Sequence, residues 1–318
     1  MITNTQTEFE VNVRQGLSDY PKHLNSKFIY DKQGDELFKQ IMELPEYYLT
    51  KAEYDILQQN KIEICKQFYA KDGFDLIELG AGDGQKTKLI LQELVDQKMD
   101  FNYLPIDISQ HVLDDLKKSI NSEIPEVAIQ CQQGSYFDVL KGLANYNKRK
   151  KVILVLGSNI GNLLHKEAID FLQQIQESMG EYDMLFMGFD QKKHPQLIVN
   201  AYNDSQGVTE AFNKNLLKRI NNEFSADFDL DQFMHWENYD PETGTARSFL
   251  LSKIDQQVNI EDLEMQVDFH KWETIHTEIS QKYNDDVVNW LAGQASLEID
   301  TNFTDKQEKY KNYIFKRS

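Results

Sequence analysis

The sequence is poor in the residues that build disulfide frameworks and metal sites. Its 318 residues include only two cysteines, Cys65 and Cys131, and both lie in segments where apolar residues recur periodically. Two isolated cysteines exclude a disulfide scaffold, and we expect both to be small buried hydrophobic residues. The seven histidines are scattered and form no His-Glu-x-x-His pattern, so the sequence predicts no metal site.

Long apolar runs are also missing. No stretch approaches the length that spans a bilayer, and the first residues are polar and acidic where a secretion signal would be apolar. These absences predict a soluble, cytoplasmic protein that does not act at a membrane.

Positively charged residues are fewer than negatively charged ones. The chain has 34 Lys and Arg residues against 52 Asp and Glu residues, which leaves a net charge of -18. Because neutralising phosphates requires clustered Lys and Arg, we expect neither nucleic acid nor an anionic membrane as a partner. A small-molecule substrate and a monomeric state are compatible with this composition. The 40% of hydrophobic residues suffices for one sizeable core or two modest domains.

Glycine is concentrated in one segment that follows an apolar run. Phe74–Leu79 has the pattern of a buried parallel strand, and three alternating glycines follow it in Gly80–Gly84. A helix is predicted directly afterwards, over Lys86–Leu94. Glycines let a backbone approach a ligand closely, so this turn predicts a nucleotide-type site, with an ordinary turn as the alternative. A dinucleotide fingerprint would require a further glycine where the chain has Gln85.

The next predicted strand, Phe101–Ile108, carries an acidic residue at its tip. Asp107 lies about 20–30 residues after the glycine loop, where this kind of fold places the second strand end. An ionised carboxylate has two acceptor oxygens and can bind both hydroxyls of a ribose. The alternative is a carboxylate at the start of a helix, since Ser109 also suits a helix N-terminus.

Helices and strands alternate from about Thr50 to Asp190, which predicts an α/β fold with a doubly wound parallel sheet. Thr50 and Glu53 have the spacing of a capping box at the start of a helix. The strands are predicted near Phe74–Leu79, Phe101–Asp107, Val127–Gln132, Val152–Gly157 and Met184–Phe189.

After Pro195 the pattern changes to one long helix, Val208–Phe224, and several segments that alternate as antiparallel strands do. These segments are Arg247–Ile254, Glu264–Phe269 and Thr274–Tyr283, with a final strand near Tyr310–Lys316. We therefore predict a second, smaller α+β domain. Residues 52–193 with 283–318 form the first domain in this interpretation, and residues 1–51 with 194–282 form the second.

Several further motifs run nearly from end to end of the chain, and together they resemble one known family. The chain resembles the histidine Nα-methyltransferases of ergothioneine biosynthesis, which depend on S-adenosylmethionine (SAM) and convert L-histidine to trimethylhistidine (hercynine). The family also includes fungal enzymes that act on tryptophan derivatives. The resemblance is carried by Phe28–Asp31, Leu44–Glu53, Glu78–Thr87, Leu156–Asn162, Ala201–Asp204, Gly207–Thr209, Ala211–Asn213 and Thr277–Ser280.

The resemblance implies that SAM is the cofactor and that a SAM-methyltransferase sheet carries it in the first domain. It assigns cofactor contacts to Gly80, Lys86 and Asp107. Where the family has an Asp-Phe pair against the adenine, this chain has Ser135 and Tyr136, a hydroxyl and an aromatic ring. A surface position on its helix is the alternative for Lys86.

The resemblance also implies the residues that bind the substrate. Asn162 and Tyr202 resemble the donors to the substrate carboxylate, with a helix cap and a half-buried aromatic as their respective alternatives. Tyr30 and the Gly157 backbone resemble the neighbours of the α-amino group.

For the substrate ring, the resemblance assigns Glu278 and Ser280, with Tyr47 as a third contact. Residues i and i+2 of a strand point to the same face, so Glu278 and Ser280 are able to address one ligand. An outward polar strand face is the alternative for this pair.

The implied reaction is an in-line displacement in which a neutral amine attacks the SAM methyl group, and positioning supplies most of the catalysis. Tyr30, or a water beside it, is the candidate relay for the amine proton. Methylation of another aromatic amino acid or amine is the first alternative, and a non-catalytic SAM-binding protein is the more distant one. No metal is expected.

Overall fold

The chain forms two compact units, which we describe from a computed structural model that covers residues 6–144 and 149–318. The main unit comprises Leu49–Lys192 and Gln281–Ser318, and the auxiliary unit comprises Met1–Tyr48 and Lys193–Ser280. These limits lie within a few residues of the domain limits in the sequence interpretation. Among the described residues, no helix is both long and apolar enough to span a membrane.

The regular elements are numbered in chain order. The helices are α1 (Glu8–Ser18), α2 (Lys32–Glu43), α3 (Tyr48–Phe68), α4 (Gln85–Asp96), α5 (Gln110–Glu123), α6 (Tyr136–Ala144), α7 (His165–Ser178), α8 (Pro195–Ala201), α9 (Val208–Phe224) and α10 (Asp285–Gln294). The strands are β1 (Lys22–His23), β2 (Phe74–Leu79), β3 (Phe101–Asp107), β4 (Gln132–Gln133), β5 (Lys150–Val155), β6 (Met184–Asp190), β7 (Phe233–Asp240), β8 (Thr245–Ser252), β9 (Gln256–Ile260), β10 (Met265–Phe269), β11 (Thr274–Gln281), β12 (Leu297–Thr304) and β13 (Tyr310–Arg317).

The main unit is built on a seven-stranded sheet in the order β12-β13-β6-β5-β2-β3-β4. Strands β2 to β6 are parallel to one another, whereas β13 runs antiparallel to β6 and β12 antiparallel to β13. Parallel strands end at the same edge of a sheet, so the segments that follow β2, β3 and β5 meet there. The predicted doubly wound α/β fold is confirmed by this arrangement.

Both faces of the main sheet are buried, which explains why its central strands are almost continuously apolar. All six residues of β2 are buried. Ile77 and Leu79 pack with residues of α7 and α10 on one face, and Leu76 packs with residues of α3, α4 and α5 on the other. The unit therefore has three layers with two cores, and the strand ends are held rigidly between them.

The auxiliary unit is an α+β structure, as predicted. Its four-stranded sheet has the order β1-β11-β8-β7, and β9 and β10 form a separate antiparallel pair. Ile275 on β11 joins the core that α9 covers with Phe212 and Leu216, and Thr277 beside it is also buried. Glu278 and Ser280 alternate with these residues and are only half-buried, so they lie on the opposite sheet face.

Three expectations from the sequence need correction. Helix α3 begins at Tyr48, so Thr50 lies inside the helix and Glu53 is not a capping residue. The third predicted strand shrinks to β4, with an isolated bridge between Tyr103 and Ile129 before it. Cys131 is partly exposed, whereas Cys65 is buried as expected.

Candidate functional site

The glycine loop leaves β2 in a backbone conformation that most residues avoid. Gly80 has a φ of +74°, in the left-handed region that favours glycine. A Cβ atom on Gly80 would stand 2.4 Å from the hydroxyl oxygen of Tyr136 and 3.5 Å from Nδ2 of Asn159. Tyr136 and Asn159 therefore form a closed cradle over Gly80, beneath which only a residue without a Cβ atom fits without a clash.

Asp107 and Tyr136 lie at the same edge of the sheet. Burial and the charges of Asp107 and Glu78 raise the pKa of Tyr136 to about 12, so its phenol is neutral at physiological pH. The carboxylate of Asp107 accepts a hydrogen bond from the Ser109 amide at 2.9 Å, and burial raises its pKa. The structure thus brings together Gly80, Asp107 and Tyr136, and Asp107 also supports the start of α5.

Ser135 has a structural task that the sequence interpretation did not include. Its hydroxyl donates to Oδ2 of Asp138 at 2.6 Å and accepts from the Asp138 amide at 3.3 Å, so it caps the first turn of α6. The side chain is exposed next to Tyr136. The adenine contact predicted for Ser135 stays a prediction.

Lys86 and Gly157 are joined by a buried carboxylate. Nζ of Lys86 lies 2.6 Å from Oε2 of Glu53, and the amide nitrogen of Gly157 lies 2.7 Å from the same oxygen. A Cβ atom on Gly157 would stand 3.5 Å from Nζ of Lys86. Lys86 is therefore not a free surface lysine, because the ion pair with Glu53 fixes its ammonium next to the turn after β5.

Asn159 is a site residue that the sequence interpretation missed. Its Oδ1 lies 3.6 Å from the Cβ position of Gly157, and its Nδ2 faces Gly80. Asn159 opens the 3-10 turn Asn159–Asn162, in which residues three apart lie on the same side. Exposed Asn162 therefore stands on the same side of the turn as Asn159. A signal for Asn159 was available, because it lies inside the motif Leu156–Asn162.

Glu78, the acidic residue that precedes the glycines, does not face a ligand. Its side chain is buried, and its carboxylate accepts hydrogen bonds from the hydroxyls of Thr87 and Tyr103. Burial raises the pKa of Glu78 to about 7, although both hydroxyl donors and the charge of Lys86 act in the opposite direction. Glu78 therefore ties β2 to α4 and β3 beneath the loop.

In the auxiliary unit, three predicted substrate residues from distant segments lie side by side. The hydroxyl of Tyr202, at the end of α8, lies 2.7 Å from Oγ of Ser280 on β11. The rings of Tyr47 and Tyr202 meet edge to face, with centroids 6.1 Å apart. Tyr202 is fixed further by His235, whose Nε2 lies 2.8 Å from the Tyr202 carbonyl oxygen.

Tyr30 belongs to the same group. Its ring packs edge to face on Phe38 and Phe212, at centroid distances of 5.5 and 5.3 Å. Burial raises the pKa of Tyr30 well above its ordinary value, and nearby Glu278, Tyr47, Tyr202 and Asp35 raise it further. The auxiliary unit thus assembles one polar and aromatic cluster from Tyr30, Tyr47, Tyr202, Glu278 and Ser280.

The described part of the chain contains no cluster of side chains that could bind a metal ion. Within residues 6–144 and 149–318, no group of three or more His, Cys, Asp and Glu side chains is arranged to hold a metal ion. The segments after β2 and β3 bring the Gly80 backbone, the carboxylate of Asp107 and the ammonium of Lys86 to the same edge of the sheet.

The fold and this site together define a SAM-dependent methyltransferase. The features of this class are a parallel sheet with one reversed strand, β13, near an edge, a glycine loop after β2 and an acidic residue at the end of β3. More narrowly, a family model described as "Histidine-specific methyltransferase, SAM-dependent" matches residues 9–317, and the chain belongs to that family.

Curated relatives extend over most of the chain. It is 35% identical over 287 residues to the histidine N-alpha-methyltransferase of Mycolicibacterium smegmatis, covering 90% of this chain and 88% of that protein. It is 28% identical to ergothioneine biosynthesis protein 1 of Schizosaccharomyces pombe, over 92% of this chain but only 38% of that longer protein. The 4-dimethylallyltryptophan N-methyltransferase of Claviceps fusiformis is 25% identical, over 92% of this chain and 88% of that protein.

Proposed function

We propose that this protein transfers methyl groups from SAM to the α-amino group of L-histidine and forms trimethylhistidine (hercynine). The observation that carries the proposal is the cluster of Tyr30, Tyr47, Tyr202, Glu278 and Ser280 in a chain that belongs to the histidine-specific family. A carboxylate and two hydroxyls beside aromatic rings match an amino acid whose side chain is both flat and polar.

In this proposal the main unit holds the cofactor. The Gly80 backbone and the Lys86 ammonium contact its amino acid end, Asp107 accepts from the ribose hydroxyls, and Tyr136 with Ser135 lies at the adenine. When bound, SAM supplies a methyl group that is already activated for attack by an amine. The chain itself then contributes orientation, which is worth several kcal/mol when two reactants are held in line.

The substrate residues have three tasks. Asn162 and Tyr202 donate to the histidine carboxylate, while Glu278, Ser280 and Tyr47 contact the imidazole ring. Glu278 accepts a ring N–H, since a carboxylate oxygen is a hydrogen-bond acceptor. Tyr30 and the Gly157 backbone contact the α-amino group. The aromatic faces of Tyr30 and Tyr47 also suit the cation that grows as methyl groups are added.

The protonation state of Tyr30 bears on the role of its hydroxyl. The phenol stays protonated at neutral pH, so it is a poor final acceptor for the amine proton. A neutral hydroxyl still accepts one hydrogen bond while it donates another. We therefore assign Tyr30 the role of orienting the amine and passing its proton onward to water.

N-methylation of another aromatic amino acid is the second candidate, and the relative from Claviceps fusiformis favours it. An indole ring offers Glu278 an N–H donor but offers Ser280 no nitrogen acceptor. Neutral imidazole has one N–H donor and one acceptor nitrogen, which suit a carboxylate and a hydroxyl together. A non-catalytic SAM-binding protein is the remaining alternative.

Three parallel incubations, together with a titration with S-adenosylhomocysteine, separate these three functions. The purified protein is mixed with SAM and, in parallel, with L-histidine, L-tryptophan or L-phenylalanine, and each product is analysed by mass spectrometry. We expect histidine carrying three added methyl groups and little product from the other two amino acids. Preferential methylation of tryptophan would support the second candidate, and binding of S-adenosylhomocysteine (SAH) without any methylated product would support the third.

A further inference from the structure

Glu53 is an enclosed carboxylate at the end of the main sheet that carries the candidate site. It lies in the second turn of α3, and its side chain is 1% exposed. Removing a carboxylate from water costs several kcal/mol unless charged and hydrogen-bonded partners compensate. A buried carboxylate at this edge of the sheet therefore requires partners, and the fold supplies them from several elements.

Three donors from three elements surround the Glu53 carboxylate. Oε2 accepts from Nζ of Lys86 at 2.6 Å and from the Gly157 amide at 2.7 Å. Oε1 accepts from Nδ2 of Asn312 on β13 at 2.9 Å. The fold also leaves room for the group, because a Cβ atom on Gly188 of β6 would stand 2.3 Å from Oε1.

Two of these donors are residues to which we assign ligand contacts. A lysine ammonium has three N–H donors, and one of them is directed to Glu53, so the direction of the other two is set by this ion pair. The same carboxylate oxygen fixes the Gly157 peptide. Lys86 is assigned to the cofactor and Gly157 to the substrate amine, so one oxygen atom orients a contact for each reactant.

We propose that Glu53 is a positioning residue for methyl transfer, which acts through Lys86 and the Gly157 peptide and not by touching either reactant. The proposal rests on the proposed function for the identity of the substrate, but its effect on cofactor binding does not depend on which amine is methylated. Without Glu53, the Lys86 side chain, which is 24% exposed, is free to turn towards solvent.

The test is a pair of substitutions whose effects on SAH affinity are compared. We expect Glu53→Gln, which keeps the size and removes the charge, to weaken SAH binding about tenfold or more, the scale of a hydrogen bond to a charged group. In a Lys86→Met background, Glu53→Gln should change SAH affinity by less than about twofold, because the group through which it acts is gone. Isothermal titration of the four proteins with SAH measures both effects.

A second buried lysine–carboxylate pair supplies the matched control. Asp183 lies 3.2 Å from Nζ of Lys151, and both side chains are buried at the opposite, N-terminal ends of β5 and β6. We expect Asp183→Asn to lower the thermal midpoint while SAH affinity stays within about twofold of the parent. A similar loss of SAH affinity in Asp183→Asn would overturn the proposal, because the effect would then be general damage to the fold.

The conservative variant Glu53→Asp keeps the charge and draws it back by one methylene group. We expect it to recover part of the affinity, with SAH binding about 3- to 10-fold weaker than in the parent.

Unchanged SAH affinity in Glu53→Gln, or an equal loss with and without Lys86, contradicts the proposal. Should Glu53→Gln not fold, Glu53→Asp decides alone, and an affinity within about twofold of the parent would contradict it. Failure of the proposed function has a different signature, since the parent would then leave histidine unmethylated while SAH binding still depended on Glu53.

Discussion

At the scale of single residues, the acidic side chains of the site differ mainly in what surrounds them. Asp107 and Glu278 could be singled out from the sequence, because one ends a strand near a glycine loop and the other lies in a motif. The surroundings of Glu53 could not, since it is bonded to Asn312, 259 positions further along the chain. The local spacing instead suggested that Glu53 belongs to a capping box, whereas in the structure its carboxylate is bonded to buried partners.

Glu78 leads to a prediction about pH and stability. Its pKa is raised from 4.5 to about 7 in the folded protein, so the folded state holds this proton more tightly than the unfolded chain. The stabilisation from this proton is complete below pH 4.5 and is lost as the pH rises towards 7. As the pH rises from 5 to 8, the unfolding free energy of the parent should fall by about 2–3 kcal/mol relative to that of Glu78→Gln, which has no proton to lose at this position. Urea denaturation at both pH values measures this difference.

Tyr103→Phe is the companion variant for that experiment. The Tyr103 hydroxyl lowers the pKa of Glu78, so its removal raises that pKa further and the loss of stability continues to a higher pH. Parallel stability profiles for the parent and Glu78→Gln between pH 5 and pH 8 would contradict the assignment.

Glu278 leads to a prediction about substrate choice. A site built to hydrogen-bond a polar ring rejects analogues that lack the donor, because its own polar atoms then lose a partner. We expect histidine to be preferred over phenylalanine, and Glu278→Ala to lose about 1.5–3 kcal/mol of transition-state stabilisation for histidine. The loss for tryptophan should be smaller. Steady-state kcat/KM values for the three amino acids with both proteins measure these differences.

The control for Glu278→Ala is Glu298→Ala, which removes an exposed strand glutamate on β12. If Glu278 merely occupies a polar strand face, both variants will methylate histidine at the parental rate. That result, or a preference of the parent for tryptophan, would refute histidine recognition by Glu278.

At the scale of secondary-structure elements, the accuracy of prediction follows the clarity of the hydrophobic pattern. The predicted limits of β2, and of α9 at Val208–Phe224, agree with the structure. Strand β7 was missed because its buried positions include His235 and Glu237, which are polar. Their burial depends on partners elsewhere in the chain, namely the Tyr202 carbonyl and the Ser248 hydroxyl, and no local pattern reports such partners.

The glycine loop gives a prediction with a matched control in the same element. Gly80 and Gly82 both have positive φ, of +74° and +54°, but a Cβ atom on Gly82 would meet nothing within 4 Å. We expect Gly80→Ala to destabilise the protein by about 1–3 kcal/mol more than Gly82→Ala, because only the former adds a clash with the Tyr136 hydroxyl. It should also weaken SAH binding.

Thermal unfolding and SAH titration of both alanine variants test this prediction, and Tyr136→Phe refines it. Removing the hydroxyl leaves Cζ as the nearest atom of this ring, 3.4 Å from the added Cβ. The Tyr136→Phe background should therefore reduce the penalty of Gly80→Ala. Equal penalties for Gly80→Ala and Gly82→Ala would show that the cradle above Gly80 is not tightly closed.

At the scale of the whole molecule, the chain builds each unit from two separate stretches. The final segment, Gln281–Ser318, returns α10, β12 and β13 to the main unit. The sequence indicated this arrangement because the alternation of helix and strand stops after Pro195 and a last strand appears at the end. Alternation of helix and strand could not predict the cluster of Tyr47, Tyr202 and Ser280, which the tertiary fold assembles from three distant segments of the auxiliary unit. Only the family resemblance led us to expect that these residues share one ligand.

The division into units predicts where ligand binding slows amide exchange. The residues assigned to SAM, including Gly80, Lys86 and Asp107, all lie in the main unit. At about 100 times its Kd, SAH should therefore add about 2.7 kcal/mol to the opening free energy of β2 and β3, or about 100-fold slower exchange. L-Histidine added to that complex should then slow exchange in β11, which carries Glu278 and Ser280.

Hydrogen exchange followed by mass spectrometry resolves these strands, with Asp107→Ala at the same SAH concentration as the control. Because this variant loses a charged acceptor, SAH should protect β2 and β3 far less in it. Undiminished protection in Asp107→Ala would remove that residue from the cofactor site, and protection by SAH that appears only in β7 and β8 would place the cofactor in the auxiliary unit instead.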